Sequence, residues 1–193
     1  VLGSSAILQR YGEVSDIIKR DGFKINRKIY TLLEGENLLS MSKSTGVSIM
    51  EFSSIFNELK PDIVVVIADR YETLAAAVAA SYMNIVLVHT QGGEVTGSID
   101  ESVRHATTKL AHIHFPASLK SRKNIIRMGE DPKKVFLVGC PSLDLIDKKN
   151  LRIDKKFKRK YSSYGVGELI IDFDKPYVVV LQHPVTTEYN HLY

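Results

Sequence analysis

The amino-acid sequence predicts a doubly wound α/β fold built on a parallel sheet. Two apolar, β-branched runs of strand length, PDIVVVIAD at 61–69 and NIVLVHT at 84–90, flank the helix-like segment YETLAAAVAASYM at 71–83. Continuous apolar strands on either side of a helix are typical of a parallel sheet that is covered on both faces. The same strand–helix alternation continues in both directions along the chain, as it does in doubly wound proteins.

The other elements follow from the same periodicities. Residues 37–59 are predicted to form one helix or a broken pair, and 100–111 a helix with a single apolar stripe. Next come a short strand in HIHFPAS, a helix in LKSRKNIIRMG that closes at Gly129, a strand in KVFLVG and a short helix in PSLDLI. Within a three-layer domain, we expect the strands at 62–68 and 85–89 to be central and hydrogen-bonded on both sides.

The character of the sequence changes after the first 147 residues. Residues 1–147 are predicted to form a Rossmann-like domain. Residues 148–175 are strongly basic and are predicted to be a linker or a loosely packed surface helix, because charge runs are usually solvated. Residues 176–193 contain the apolar run PYVVVLQH and are predicted to open a second, incomplete Rossmann-like domain. Since the chain starts at VLGSS, we expect Val1 not to be the first residue of the gene product.

Composition limits the function classes. The net charge of +4 suits an anionic ligand, but the interleaved aromatic residues of a nucleic-acid surface are missing, so no nucleic acid is expected as a partner. No apolar run is long enough to predict a membrane span. The single cysteine, Cys140, excludes an internal disulfide and predicts a reducing, cytoplasmic location. The chain lacks a G-x-S-x-G elbow, a Walker loop and a G-x-G-x-x-G motif, which are fingerprints of hydrolases, nucleotidases and dinucleotide-binding proteins.

Ionisable residues follow three predicted strands, at the edge where open parallel sheets bind ligands. Asp69 and Arg70 follow the first strand, HTQGGEVTGSIDESVRH at 89–105 includes the end of the second, and Gln182-His183 ends the last. These three exits therefore hold the candidate functional residues.

Asp69 and Arg70 each allow two interpretations. Asp69 starts a D-x-x-E pattern with Glu72, which is more often a helix cap than a catalytic group. Arg70 lies in the first turn of a helix, where a cation is electrostatically disfavoured. A bound anion would explain its place, since a guanidinium and a helix N-terminus can share a phosphate.

Within 89–105, Gly92 and Gly93 permit a tight turn and a close approach of the backbone to a ligand, although such a pair is more often only a turn. The S-I-D-E sequence that begins at Ser98 predicts a capping box that occupies Glu101 and leaves Asp100 free.

Two other residues of this stretch have ordinary helical explanations. Arg104 lies four residues after Asp100, so a surface ion pair is the alternative to a functional role for both. His105 lies four residues after Glu101 and is predicted to be its neighbour.

His112 and His114 lie on one face of a short predicted strand, which is the arrangement of two metal ligands. A third ligand at a supporting spacing is missing from the sequence. Both imidazoles are therefore predicted to be partly buried, hydrogen-bonded groups, and no metal is expected.

Taken together, four blocks resemble one known family. They are the A-D-R at 68–70, G-G-E-x-x-G-x-I-D-x-x-x-R-H within 92–105, VGCPSLD at 138–144 and LQHPVTT at 181–187. Their order is similar to that in the hydrolysing UDP-N-acetylglucosamine 2-epimerases, which include bacterial sialic-acid and capsule enzymes and the epimerase half of the bifunctional animal enzyme. The resemblance implies the N-terminal half of a two-domain, B-type glycosyltransferase fold from which the first strand and helix are missing.

The resemblance also implies a reaction. UDP is eliminated from UDP-N-acetylglucosamine to give a 2-acetamidoglucal, and water then adds to yield N-acetylmannosamine, without a cofactor or metal. The family's acid/base set matches Asp69, Asp100 and His183. The residues that match substrate-binding positions are Arg70, which matches a UDP contact, Gln91, Gly92, Gly93, Glu94 and Arg104. A UDP-sugar substrate and, for the full-length protein, a homo-oligomer are also implied.

One residue departs from the family pattern. Gln91 stands where the family commonly has the glutamate of H-x-E-G-G, and an amide cannot exchange a proton at neutral pH. Either Asp100 and Asp69 carry the proton transfer, or Glu94 substitutes, or activity is impaired. Two alternatives remain: the same chemistry on a UDP-2,4-diacetamido-trideoxyhexose, or an inactive fragment that only binds a UDP-sugar.

Overall fold

The computed structural model describes residues 1–9, 12, 14–35, 37–146, 153–162, 171–176 and 178. The strands of this part are Leu2–Gly3 (β1), Lys28–Ile29 (β2), Ile63–Ile67 (β3), Val86–Thr90 (β4) and Ile113–Phe115 (β5). The α-helices are Val14–Arg20 (α1), Leu38–Leu59 (α2), Tyr71–Tyr82 (α3), Ile99–Leu110 (α4), Leu119–Arg127 (α5), Pro141–Asp144 (α6) and Lys155–Tyr161 (α7).

The three longest strands form a parallel sheet in the order β3-β4-β5, with Val65 opposite Val88 and His89 opposite His114. β4 is central, as predicted. The prediction that β3 is hydrogen-bonded on both sides is wrong for the described residues, where β3 is an edge strand. The reason is that β1 and β2 pair with each other, in parallel. A cavity of about 550 Å³ lies between that pair and β3.

Helices cover one face of β3. Val64 and Val66 pack into a buried core with α3, whose alanines are small enough to let the helix approach the sheet closely. The buried alanines of α3 are Ala75, Ala76, Ala77, Ala79 and Ala80. Ile63, Val65 and Ile67 point to the other face and are exposed. Over β3, the expected third layer is therefore not found among the described residues.

The segment before β3 is one continuous helix, which resolves the alternative left open by the sequence. Asn37 and Ser40 form a reciprocal capping box at its start. The helix ends at Lys60, whose left-handed backbone (φ 46°) is a usual helix terminator, and Pro61 follows.

The region after β5 differs from the expected pattern. The predicted strand in KVFLVG is reduced to a single bridge between Val135 and His114. A first compact unit spans Val1–Gly139, and a second begins at Cys140. Within the second unit, α7 starts with Asp154 as its cap and carries a cluster of Phe157 with aromatic neighbours.

Two expectations concern parts of the chain or boundaries that the described residues do not test. The strand expected in 176–193 lies outside the described residues, and the predicted domain boundaries stay predictions. Among the helices that the structure describes, none combines the length and the apolar character needed to cross a membrane.

A matched pair of substitutions tests the orientation of β3. Val66 is 7% exposed and Val65 is 64% exposed. Val66→Thr buries a hydroxyl and should lower the free energy of unfolding by about 1–3 kcal/mol. Val65→Thr should change it by less than about 0.5 kcal/mol. Urea unfolding of residues 1–193 measures both values, and equal losses would contradict the exposed face of β3.

Candidate active site

Asp69 and Arg104 form an ion pair that joins the exit of β3 to α4. The Arg104 Nη2 group donates to the Asp69 carboxylate, and the two side chains are 4% and 22% exposed, respectively. Nη1 of Arg104 donates to the Glu94 carbonyl oxygen at 2.8 Å, with the Thr96 hydroxyl at 3.5 Å. Burial lowers the pKa of Arg104. Two interpretations are thereby wrong: Asp69 does not cap α3, and Arg104 does not pair with Asp100.

Arg70 is the N-cap residue of α3 and is largely exposed, at 62% of its side chain. Its Nε and Nη2 groups donate to the two carboxylate oxygens of Glu72 at 3.1 and 3.0 Å. This hydrogen-bonded carboxylate raises the pKa of Arg70 against the opposing effect of burial. Glu72 is therefore the anion that accounts for a guanidinium at a helix N-terminus, and Arg70 needs no bound ligand to explain its position.

The start of α4 differs in detail from the predicted capping box. Ser98 is the N-cap residue, but its side chain makes no cap hydrogen bond. Glu101 instead accepts from the amides of Thr96 and Gly97, at 2.8 and 2.6 Å, and these bonds lower its pKa. The box is therefore wrong, but Glu101 is occupied as expected, and Asp100 is exposed.

Arg70 and Asp100 line one cavity of about 340 Å³ at the carboxyl edge of the sheet. The other walls of this cavity come from the N-terminal parts of α2, α3 and α4. The apolar side chains that line it are Leu38, Met41, Leu74, Ile99 and Val103. The charge of Asp100 adds to that of Glu72 in raising the pKa of Arg70. Asp69, the residue before Arg70, is beside this cavity but does not line it.

Gly92 and Gly93 are buried residues of the loop after β4 and do not line the cavity. A Cβ on Gly92 would lie 2.9 Å from both His89 Nδ1 and Thr108 Oγ1. A Cβ on Gly93 would lie 2.8 Å from Ile125 Cγ1 and would overlap the backbone of α5. The two glycines thus allow the loop to pack against protein atoms, and their predicted contact with a substrate stays a prediction.

His89 braces the two strand exits, a role that the sequence analysis missed. The ring is fully buried, with Nε2 2.8 Å from the Ala68 carbonyl oxygen and Nδ1 3.0 Å from the Thr108 hydroxyl. Burial lowers its pKa from 6.5 to about 4, so the ring is neutral at pH 7. A neutral ring donates from Nε2 to Ala68 and accepts from Thr108 at Nδ1. The available signal was a lone histidine within an apolar strand.

The remaining candidates of this loop are only partly placed. The Gln91 N–H donates to the Phe115 carbonyl oxygen at 2.9 Å, and the Gln91 backbone is left-handed, with φ 58°. Glu94 is exposed, and its carbonyl is the acceptor for Arg104. His183 lies outside the described residues.

His105 is the neighbour of Glu101, as predicted, but the prediction that His112 and His114 are both partly buried is wrong, because His112 is exposed and His114 is fully buried. His105 lies 3.8 Å from Glu101. His112 Nδ1 accepts from the Leu87 N–H at 3.1 Å, and the buried His114 Nε2 lies 3.3 Å from the Glu130 carboxylate. Groups of three or more His, Cys, Asp or Glu side chains that could hold a metal ion are not found among the described residues.

The family model for UDP-N-acetylglucosamine 2-epimerase matches residues 9–192. The chain belongs to the UDP-N-acetylglucosamine 2-epimerase family. It is 38% identical over 182 residues to the UDP-N,N'-diacetylbacillosamine 2-epimerase (hydrolyzing) of Legionella pneumophila, covering 94% of this chain and 46% of that protein. It is 28% identical over 186 residues to the UDP-N-acetylglucosamine 2-epimerase of Neisseria meningitidis, covering 94% and 45%.

The family's solved structures show the same fold. The UDP-GlcNAc 2-epimerase of Neisseria meningitidis bound to UDP-GlcNAc matches with a TM-score of 0.66 and 22% identity, over 78% of this chain and 42% of that chain. This match confirms the predicted class, a Rossmann-like half of the B-type glycosyltransferase architecture. The chain spans just under half the length of these two curated relatives.

Two glycine substitutions test the packing of the loop after β4. Gly93 and Gly97 both have left-handed backbones, with φ 81° and 73°, but only a Cβ at Gly93 meets protein atoms within 4 Å. Gly97→Ala should cost about 1–2 kcal/mol of stability through backbone strain alone. Gly93→Ala should cost about 3 kcal/mol or more, because steric overlap is added. Thermal and urea unfolding compare the two variants, and similar losses would exclude the close packing of Gly93 on α5.

The buried His89 predicts a loss of stability in acid. Its folded pKa of about 4 is lower than the unfolded value of 6.5. Between these values the unfolded chain binds the extra proton, so stability falls as the pH drops from 6.5 towards 4. By pH 4 the native chain should lose about 3 kcal/mol more than a His89→Gln variant does. Urea unfolding at several pH values measures this difference, and parallel curves for the two proteins would refute the buried neutral ring.

Proposed function

We propose that this chain provides the N-terminal half of a hydrolysing 2-epimerase that converts UDP-N-acetylglucosamine to N-acetylmannosamine and UDP. The observation that carries the proposal is that Arg70 and Asp100 line one cavity, with Asp69 as the residue next to Arg70 in the chain. A cation and two carboxylates at the carboxyl edge of a parallel sheet suit a substrate with a diphosphate and an acidic C–H group.

The proposed reaction has two steps that balance in atoms and electrons. In the first, a base removes the proton from C2, the C1–C2 double bond forms, and the bond from C1 to the diphosphate oxygen breaks. In the second, the hydroxyl of a water molecule adds to C1, and a proton is returned to C2 from the opposite face. The leaving diphosphate needs cationic stabilisation rather than a covalent partner.

Each described residue takes the role that its surroundings favour. Arg70 uses two of its five N–H donors for Glu72, so the others remain for a diphosphate oxygen. Asp100 is exposed and projects from the first turn of α4, and we assign it proton transfer at C2. Asp69 and His183 complete the acid/base set on the strength of their motif positions. Gln91 is assigned a hydrogen bond to the sugar.

A second candidate substrate, a UDP-2,4-diacetamido-trideoxyhexose, has specific support. The chain is 38% identical to two relatives named for N,N'-diacetylbacillosamine, from Legionella pneumophila and Campylobacter jejuni, against 28% for the Neisseria meningitidis enzyme. A sugar with a methyl group at C6 and a second acetamido group has more apolar surface than N-acetylglucosamine. The apolar walls beside Asp100 suit such a sugar.

We further propose that activity requires the full-length protein, because the described site has residues on one side only of the cleft that the B-type architecture places between two domains. Residues 1–193 alone are then expected to be inactive. The homo-oligomer implied by the resemblance and the cytoplasmic location implied by the single cysteine stay predictions.

Substitutions at Gln91 and Asp100 test the proton scheme in the full-length protein. If the retained carboxylates carry the proton transfer, Gln91→Glu should change kcat by less than about threefold. Asp100→Asn should lower kcat by about 10²–10⁴-fold, because a general base is lost. Release of the free amino sugar from UDP-N-acetylglucosamine and from the diacetamido sugar nucleotide measures both effects.

Two outcomes would contradict this scheme. A rise in rate of about a hundredfold in Gln91→Glu would mean that the natural protein is a weakened enzyme. Full activity of Asp100→Asn on both substrates would remove Asp100 from the chemistry. Glu51→Gln, at an exposed position of α2 that does not line the cavity, is the matched control, because it makes the same carboxylate-to-amide change away from the site.

A further inference from the structure

Arg104 places a buried charge at the meeting point of three segments. The guanidinium belongs to α4, its Nη2 group contacts Asp69 after β3, and its Nη1 group contacts Glu94 and Thr96 in the loop after β4. Its Nε has no acceptor among the residues that the structure describes. With only 4% of the side chain exposed, the guanidinium is committed to protein atoms rather than to the cavity that Arg70 lines.

The backbone at these strand exits is strained, so it needs restraint from outside. Ala68 and Gln91 have left-handed backbones, with φ 59° and 58°, although neither is a glycine. Such conformations cost about 1–3 kcal/mol each and persist only where surrounding contacts enforce them. His89 holds the Ala68 carbonyl from within the sheet. Arg104 holds the next residue, Asp69, and the loop that follows Gln91.

We propose that Arg104 is a positioning residue: it fixes the Asp69 carboxylate and the Glu94–Thr96 loop, and it acts on the reaction through them rather than by contacting the UDP-sugar. This inference rests on the proposed function for its catalytic consequence and on the contacts above for its geometry. Arginine suits the role because one planar guanidinium reaches two acceptors in fixed directions, which a lysine ammonium on a flexible stem does not.

A double-mutant cycle in the full-length protein tests the catalytic part. Arg104→Lys keeps the charge but loses the two-armed contact, and should lower kcat by about a hundredfold while KM changes by less than about threefold. Asp69→Asn should lower kcat to a similar degree. Because the Arg104–Asp69 pair holds the carboxylate and the loop as one unit, losing Asp69 already releases both, and the double variant should be no slower than Asp69→Asn within about threefold. If the two losses in kcat multiply in the double variant, or if Arg104→Lys raises KM and leaves kcat unchanged, Arg104 contacts the substrate directly and the proposal is wrong.

Hydrogen exchange tests the geometric part without any activity. The amides of Thr96 and Gly97 are protected by Glu101, so their exchange reports the integrity of the loop. Arg104→Lys should speed this exchange by about tenfold, and Asp69→Asn should speed it too, although Asp69 touches neither amide. Arg122→Lys, which removes a guanidinium that donates to the Val135 carbonyl, is the control and should leave it unchanged.

The kinetic experiment and the hydrogen-exchange experiment distinguish failure of the Arg104 proposal from failure of the proposed function. If circular dichroism shows that Arg104→Lys and Asp69→Asn are folded and their Thr96 and Gly97 amides exchange at the native rate, Arg104 does not hold the loop and the proposal is wrong. If the native full-length protein turns over neither sugar nucleotide, the proposed function fails, and hydrogen exchange alone decides whether Arg104 holds the loop. If Arg104→Lys does not fold, Asp69→Asn carries the exchange test.

Discussion

The arrangement of the candidate site depends on one buried ion pair, between Arg104 and Asp69. A guanidinium that is almost fully removed from water must be paired, since an isolated buried charge is strongly unfavourable. The pair contributes little net stability for the same reason, because desolvation offsets the attraction. The ion pair instead fixes the relative position of the end of β3 and the loop after β4. Most other arrangements of these two segments would leave the Arg104 charge buried and unpaired.

The parallel sheet explains why this pair lies where the ionisable residues are. β3 and β4 end at the same edge, and α3 and α4 begin there. The strands are apolar inside the sheet, so polar side chains collect where the chain leaves it. Small residues set the remaining distances: the alanines of α3 bring that helix to the sheet, and Gly93 brings the loop onto α5.

The sequence predicted the features that depend on local patterns. The strand–helix–strand unit around α3 was predicted from apolar runs, and the exposure of Asp100 from the spacing of Ser98 and Glu101. The sequence failed where the partner is distant along the chain. Asp69 and Arg104 are 35 residues apart, so helical spacing pointed to Asp100 instead. An apolar run also does not show whether its strand is central or at an edge, because both kinds of strand can have this composition. The edge position of β3 in the described residues therefore could not be predicted.

The proposed function of these strand exits is the elimination and hydration of a UDP-sugar. Its most direct test is turnover by the full-length protein in deuterated water, with the released sugar examined by NMR. Elimination followed by hydration should yield an amino sugar with inverted C2 configuration and one deuterium at C2, together with one UDP for each sugar. Release of UDP with an amino sugar that keeps its C2 configuration and its original C2 hydrogen would contradict it, since simple hydrolysis would then explain the reaction.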